Sequence, residues 1–225
     1  MSRGRFKSGV SLWLLVGATW LALPGQPHAE EPRYRERPLA AWQRDLEDRS
    51  PEVRQRAVGA LAHFGPVAVP ALARTINDVT VQVRLAAIWT LGEMGPVAKD
   101  AVPALAQALG DLNVQVRQGA AWALVRFGPG AKDAIPELIR AMNDSNNVVR
   151  ATSAQALGEI GPAARDAALV LAQALFGAHS YVHDHVVNAL RAIGPTAIPG
   201  LRREAESDPQ LERVVENAIQ VIENR

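Results

Sequence analysis

No cysteine occurs anywhere in the chain, which excludes disulfides and thiolate-ligated metal sites outright. Lysine is nearly as scarce: after residue 29 only Lys99 and Lys132 remain. Arg3, Arg5 and Lys7 take three of the 24 basic residues, which leaves 21 against 23 acids in the rest of the chain. A surface that binds nucleic acid needs clustered Lys and Arg to neutralise phosphates. That balance argues against DNA or RNA as a partner.

Acid is missing from the start of the chain, where the first such residue is Glu30. Arg3, Arg5 and Lys7 form a positive opening. Val10 to Leu23 is a mostly apolar run of 14, and Pro24, Gly25, Pro27 and Ala29 follow as a breaker-rich end. Residues 1–29 therefore read as a secretory signal. The run is short of the ~20 apolar residues of a spanning helix. Cleavage after Ala29 and retention as an N-terminal anchor both fit. In either case the remainder is expected to be exported, in the periplasm or outside the cell, without stable membrane insertion.

What the sequence does contain, in quantity, is a repeat. Val-Arg recurs at Val53-Arg54, Val83-Arg84, Val116-Arg117 and Val149-Arg150, with Val182-His183 as a degraded fifth copy. Gly-Pro recurs at Gly65, Gly95, Gly128, Gly161 and Gly194. The spacing of the copies is 30, then 33, 33 and 33 residues, a period that predicts a solenoid. Between the two pairs, Val116, Ala120, Ala123, Leu124 and Phe127 recur at helical spacing and share one face. The leucine column Leu61, Leu91, Leu124, Leu157, Leu190 should hold the stack, each burial being worth roughly 1.5–3 kcal/mol. Ser50, Thr80, Asn113 and Asn146 are placed to cap these helices, and the glycines to end them in the left-handed conformation. A shorter second helix follows. Asp100 and Asp133 are candidate caps for it, and Pro103 and Pro136 fall in its first turn. Each copy is a helical hairpin that must stack on its neighbours to bury both helices.

Asp-x5-Arg, then AAxALGxxGP, then a short helix ending in Asp resembles the HEAT repeat in its short bacterial form, the phycobilisome-lyase HEAT-like repeat. The resemblance covers roughly residues 48–206. It implies an all-α fold, a right-handed α-α superhelix or solenoid of about five hairpins with half-repeat caps. The hairpins are expected at 48–77, 78–110, 111–143, 144–176 and 177–206. Residues 30–37 read as a flexible lead-in, and Leu39–Glu47, with Trp42 and Leu46, as an N-terminal capping helix. A last helix from Asp208 to Ile222 within the terminal segment 207–225 turns Leu211, Ala218, Ile219 and Ile222 toward the stack, with Arg213, Glu216 and Glu223 outward.

Charged columns invite catalytic readings, and the sequence supports none of them. Asp48, Asp78, Asp111 and Asp144 each precede an Arg by six residues. In the HEAT family these positions form a structural ladder, each Asp bonding an Arg of its own or a neighbouring repeat. His179, His183, Asp184 and His185 are the one ligand-like cluster. Yet His179 falls in the capping column and His183 in the ladder column, and histidines two apart on a helix face different ways. Deoxyhypusine hydroxylase, which resembles this repeat, binds iron through His-Glu pairs after the Arg column. Here those positions hold Gln55-Arg56, Leu85-Ala86, Gln118-Gly119, Ala151-Thr152 and Asp184-His185. Chromophore lyases share the repeat too, without a residue pattern that carries over to this chain. Ser50, Ser145, Ser153, Ser180 and Ser207 fall in caps, turns or a buried column and suggest no nucleophile. No catalytic, cofactor or metal site is expected. A metal-dependent or chromophore-handling enzyme centred on His179–His185 stays as the alternative.

Function is then expected in the columns that vary. Five residues after the Arg stand Gly59, Trp89, Trp122, Gln155 and Asn188, a set no packed interior would accept. One turn back lie Gln55, Leu85, Gln118, Ala151 and Asp184. One turn forward lie His63, Glu93, Arg126, Glu159 and Ala192. The two indoles occupy the same place in adjacent repeats, whose helices pack ~8–10 Å apart. Leu85, Trp89, Gln118, Trp122, Arg126, Gln155 and, toward the C-terminal end, Tyr181 are the expected contacts for a protein or peptide partner, with the composition of an interface hot spot. The alternative is that each indole lies over its own repeat junction.

Overall fold

The computed structural model describes residues 32–177 and 180–224. The signal-like segment and His179 lie outside the described residues. Asn113 and Asn146 start their helices as expected. Each side-chain oxygen accepts the first-turn N–H groups, from Gln115 and Val116 in α6 (Val114–Phe127) and from Val148 and Val149 in α8 (Asn147–Ile160). Ser50 does the same for α2 (Pro51–Leu61), accepting from Val53 at 3.4 Å. Thr80 departs from the expectation. Its side chain makes no cap bond to α4 (Val81–Met94); its hydroxyl is turned to Arg54, from whose Nη2 it accepts at 3.1 Å.

Gly65, Gly95, Gly128 and Gly161 take the expected positive φ, 51–73°. Their ψ is strongly negative, as at Gly95 (−140°), so they reverse the chain outside the left-handed helical region that the sequence suggested. That part of φ/ψ space admits almost no other residue. A 3-10 turn begins at three of these glycines, Gly95–Ala101, Gly128–Ala134 and Gly161–Ala167, and another, Ala62–Ala68, spans Gly65. Asp100 and Asp133 lie exposed within these turns and cap nothing, since Ala101 and Ala134 hold the N-cap positions of α5 (Val102–Ala108) and α7 (Ile135–Ala141). Pro103 and Pro136 sit in the first turn, as the missing N–H allows.

The other second helices are α3 (Val69–Thr75), α9 (Ala168–Gly177) and α11 (Ile198–Ser207), and the fifth first helix is α10 (Ser180–Ile193). α2, α4, α6, α8 and α10 pack side by side in sequence order, and α3, α5, α7 and α9 each lie against the first helix of the following repeat, α4, α6, α8 and α10. The leucine column is wholly buried. Pro51–Thr75 has the length and the mean hydropathy, 1.2, of a membrane span, but the chain reverses at Gly65 within it and its apolar face belongs to the core. At the N-terminal end α1 (Leu39–Asp45) caps the stack with Trp42 buried. The lead-in is not loose from Pro32 onward. Arg33–Tyr34 (β1) and Arg37–Pro38 (β2) pair antiparallel across Arg35 and Glu36, both at positive φ. The Tyr34 carbonyl accepts the Trp42 indole N–H at 3.2 Å, and Tyr34 stacks on His63 at 4.0 Å, which ties the hairpin down. At the other end, α12 (Glu212–Glu223) buries Val215, Ala218 and Ile222. Leu211 and Ile219 are half-buried, and Arg213, Glu216 and Glu223 face solvent.

Candidate functional site

The Asp and Arg columns form a ladder that runs between repeats. Arg54, Arg84 and Arg117 each reach the aspartate of the next repeat, Asp78, Asp111 and Asp144, at 2.7, 3.0 and 2.7 Å. Each also donates through Nη1 to the main-chain carbonyl of its own repeat's aspartate: Asp48, Asp78 and Asp111. These side chains are only 9–16% exposed, so the pairs are more sheltered than ordinary surface ion pairs. Burial alone would raise the carboxyls of Asp78 and Asp144. Hydrogen bonds from Arg54 to Asp78 and from Arg117 to Asp144, together with the N–H groups of Thr80 and Asn146, outweigh it and hold both below the ordinary value. The bonded aspartates likewise hold Arg54 and Arg117 above theirs. The ladder sets register and has no feature of an acid–base pair.

The variable strip is only partly open. Trp89 is 45% exposed, while Trp122 is half-buried, and their ring centroids lie 4.3 Å apart at 50°. The seat of Trp122 is Gly92 in the preceding repeat: a Cβ there would stand 2.3 Å from Cζ3 of the indole. Trp122 therefore lies over a repeat junction, as the alternative expected, and Trp89 stands beside it in solvent. Leu85 is half-buried against the next helix, where Gly119 leaves it room. Gln118 is also half-buried and donates to Asn146 Oδ1 at 3.1 Å. Arg126 and Gln155 are exposed. Ala151, in the column of Leu85 and Gln118, is fully buried, so that column is not open along its length. Tyr181 is 53% exposed but meets His185 edge-on, on α10. Two helix steps separate it from α6, roughly 16–20 Å, so it does not join the indoles.

Two features escaped the sequence reading. A cavity of about 420 Å³ opens at the N-terminal end of the strip, lined by Tyr34, Arg37, Trp42, Arg56 and Gly59 among others. The Arg37 guanidinium lies 4.1 Å over the Trp42 ring and pairs with Asp45 at 2.8 Å. Its signal was Gly59, which puts no side chain where later repeats place tryptophan. Val79 and Leu112, at the turns that start repeats two and three, are almost wholly exposed. Within the histidine cluster, His183 Nδ1 lies 3.7 Å from Asp184, and His185 turns to Tyr181. Among the described residues no three His, Asp or Glu converge as a metal would require.

Comparison with known proteins agrees with this architecture. The family model for HEAT repeats matches residues 40–124, 102–191 and 135–223. No curated protein matches the sequence. Among solved structures, the complex of CpcE and CpcF of phycocyanin lyase from Nostoc superposes with a TM-score of 0.57 at 22% identity, over 86% of this chain and 79% of that one. Yeast importin-beta gives 0.58 at 15%, over 82% of this chain and 30% of its own. A designed armadillo repeat protein in complex with the peptide (KR)4 gives 0.56 at 15%, over 82% and 99%. At these identities the likeness is one of fold. The match of the repeat model across the whole of the stacked hairpins shows that this chain belongs to the HEAT-repeat family.

Proposed function

We propose that the protein is a non-catalytic scaffold that holds a protein or peptide on the strip of its first helices around Trp89 and Trp122. One observation carries the reading. An indole with nearly half its surface in solvent stands against a second that is fixed by a glycine seat. A large rigid side chain already held in place loses little freedom on binding, and Trp and Arg dominate interface hot spots. Arg126 on the same helix supplies the charged edge. Proteins of similar fold bind partners of this kind, as the armadillo protein binds its peptide. The signal-like sequence of residues 1–29 supports an exported location, in the periplasm or outside the cell, and fractionation of the tagged full chain tests that.

A photo-crosslinking residue at Arg126, with Arg203 on α11 as control, tests the strip in the native cell. The expected result is a crosslinked species of discrete mass from position 126 alone, lost when Trp89 is changed to Ala. Equal labelling from both positions, or labelling that survives the change, overturns the reading. The chromophore-handling alternative draws on the likeness to CpcE and CpcF. It predicts stoichiometric metal or a bound visible chromophore in the purified protein, which elemental analysis and absorbance spectra detect.

A further inference from the structure

The ladder has four arginines and only three cross-repeat aspartates. At the fourth junction the aspartate column holds Gly177. Arg150 is nevertheless held as the other three are. Its Nη1 donates to the carbonyls of Asp144 at 2.7 Å and Ser145 at 3.3 Å, as Arg117 does to those of Asp111 at 3.0 Å and Leu112 at 3.4 Å. In Arg54 and Arg117 the opposite edge, Nε and Nη2, grips both oxygens of one carboxylate at 2.7–3.1 Å. In Arg150 that edge meets no carboxylate among the described residues. Only the Oδ1 of Asn147, on the same helix, accepts from Nη2. Beside it opens a cavity of about 350 Å³, whose wall includes Asn143, Val170, Gln173 and Val182. The aspartate in that wall, Asp144, is already bound to Arg117.

We propose that Arg150 and this cavity form a carboxylate-binding site, and that its ligand is an aspartate or glutamate side chain on an extended segment of another protein. The guanidinium is anchored on one edge and on the other holds only the neutral amide oxygen of Asn147, so a carboxylate that displaces this acceptor gains a two-point, charge-assisted contact with an arginine already in place. The same two-point contact is made twice inside this molecule, by Arg54 and Arg117, each time to an acid carried on a polypeptide. Gln173 offers an amide to the segment's backbone, and the half-buried Val170 offers apolar surface to a flanking residue. Nothing in the site depends on the tryptophan strip, and either can fail without the other.

The test is a titration of the full chain followed by NMR of the arginine Nε–H signals. The probes are a capped Ser-Asp-Ser peptide, its Ser-Asn-Ser counterpart and acetate. The Asp peptide is expected to shift the Arg150 Nε–H resonance saturably, at concentrations at least tenfold below those acetate needs. The Asn peptide should leave it unmoved. Arg150→Gln should weaken the Asp peptide at least tenfold, and Arg203→Gln should not. Gly177→Asp, which restores the missing ladder residue, should compete from within and weaken it by as much. An unmoved Arg150 signal, an equal response to the Asn peptide, or undiminished binding by either Arg150→Gln or Gly177→Asp overturns the site. An equal response to acetate overturns its assignment to a protein segment.

Discussion

Gly92→Ala sets two effects of known sign against each other. In a helix interior the exchange of Gly for Ala is favourable by about 0.5–1 kcal/mol, because the unfolded chain loses freedom. At this position the new methyl would stand 2.3 Å from Cζ3 and 3.0 Å from Cε3 of Trp122, and 3.2 Å from the Cβ of Ala123. Carbon atoms at rest are about 3.5–4.0 Å apart, so the indole must withdraw by more than an ångström. It has somewhere to go, since it is only half-buried. Lifting it from its seat exposes on the order of 60–100 Å² of apolar surface, about 1.5–2.5 kcal/mol at 25 cal/mol per Å². The clash therefore outweighs the propensity, and the variant should be less stable by about 0.5–2 kcal/mol. For a folded region of this size that is a fall in Tm of roughly 1–8 °C.

Repeating the change in a Trp122→Ala background separates the two effects. With the indole gone, only the propensity and the residual contact with Ala123 remain. Gly92→Ala should then be neutral or stabilising by up to about 1 kcal/mol. The far-ultraviolet circular dichroism of the two coupled indoles, 4.3 Å apart, should weaken in the single variant as Trp122 moves off Trp89. A change of the same sign and size in both backgrounds, with the coupled signal intact, would refute the claim that Gly92 seats Trp122.

Three further outcomes follow from the stack itself. Asp144→Ala removes the partner of Arg117 and the acceptor of the Asn146 N–H together, and should cost about 2–4 kcal/mol in chemical denaturation. Ser153 is fully buried, with its hydroxyl unbonded, in a column that is alanine in the three preceding repeats; Ser153→Ala should raise stability by about 1 kcal/mol, read in the same assay. Asp78 and Asp144 are held below the ordinary aspartate value by their arginines and by backbone N–H groups. A depressed carboxyl adds stability above its unfolded value of about 3.9 and loses it as the pH falls toward the folded one. Thermal melts should therefore be flat in this contribution down to about pH 4 and drop below it, and the drop should shrink in Asp78→Asn.

The repeat was legible because its constant positions are each fixed by one local requirement: a cap, a reversal or a buried leucine. Three expectations failed where a residue had two possible tasks. Thr80 could cap α4 or accept from Arg54, and the neighbouring repeat decided it. Asp100 and Asp133 have the chemistry of caps, but the 3-10 turn after the glycine puts them one residue too early. The stretch from Pro32 reads as a loose charged tail, and only Trp42 and His63, distant in sequence, show why it is a hairpin. The strip was legible as a set of columns. How open each column is was not, because exposure depends on what the next repeat leaves room for: Gly119 leaves room for Leu85 to lie half-buried, while Ala151 in the same column is fully buried.

The fourth junction shows how a ladder can end without the stack ending. Gly177 removes the carboxylate that elsewhere ties one repeat to the next. At that same junction Gly158 brings α8 against α10, and a Cβ there would stand 3.0 Å from the Cα of Ala189 and 3.4 Å from its Cβ. The obstacle is backbone, which cannot swing aside as the indole at Gly92 can. Gly158→Ala should therefore push α10 away by a few tenths of an ångström, and the loss of close packing should exceed the helix-propensity gain by about 1–2 kcal/mol. With an ion pair across the junction the register would survive such a shift. Among the described residues no ion pair crosses this junction and packing holds it, so hydrogen exchange in α10 to α12 should quicken relative to α2 to α6. Uniform exchange along the stack would mean that the terminal repeats are fastened by something other than the closeness of α8 and α10.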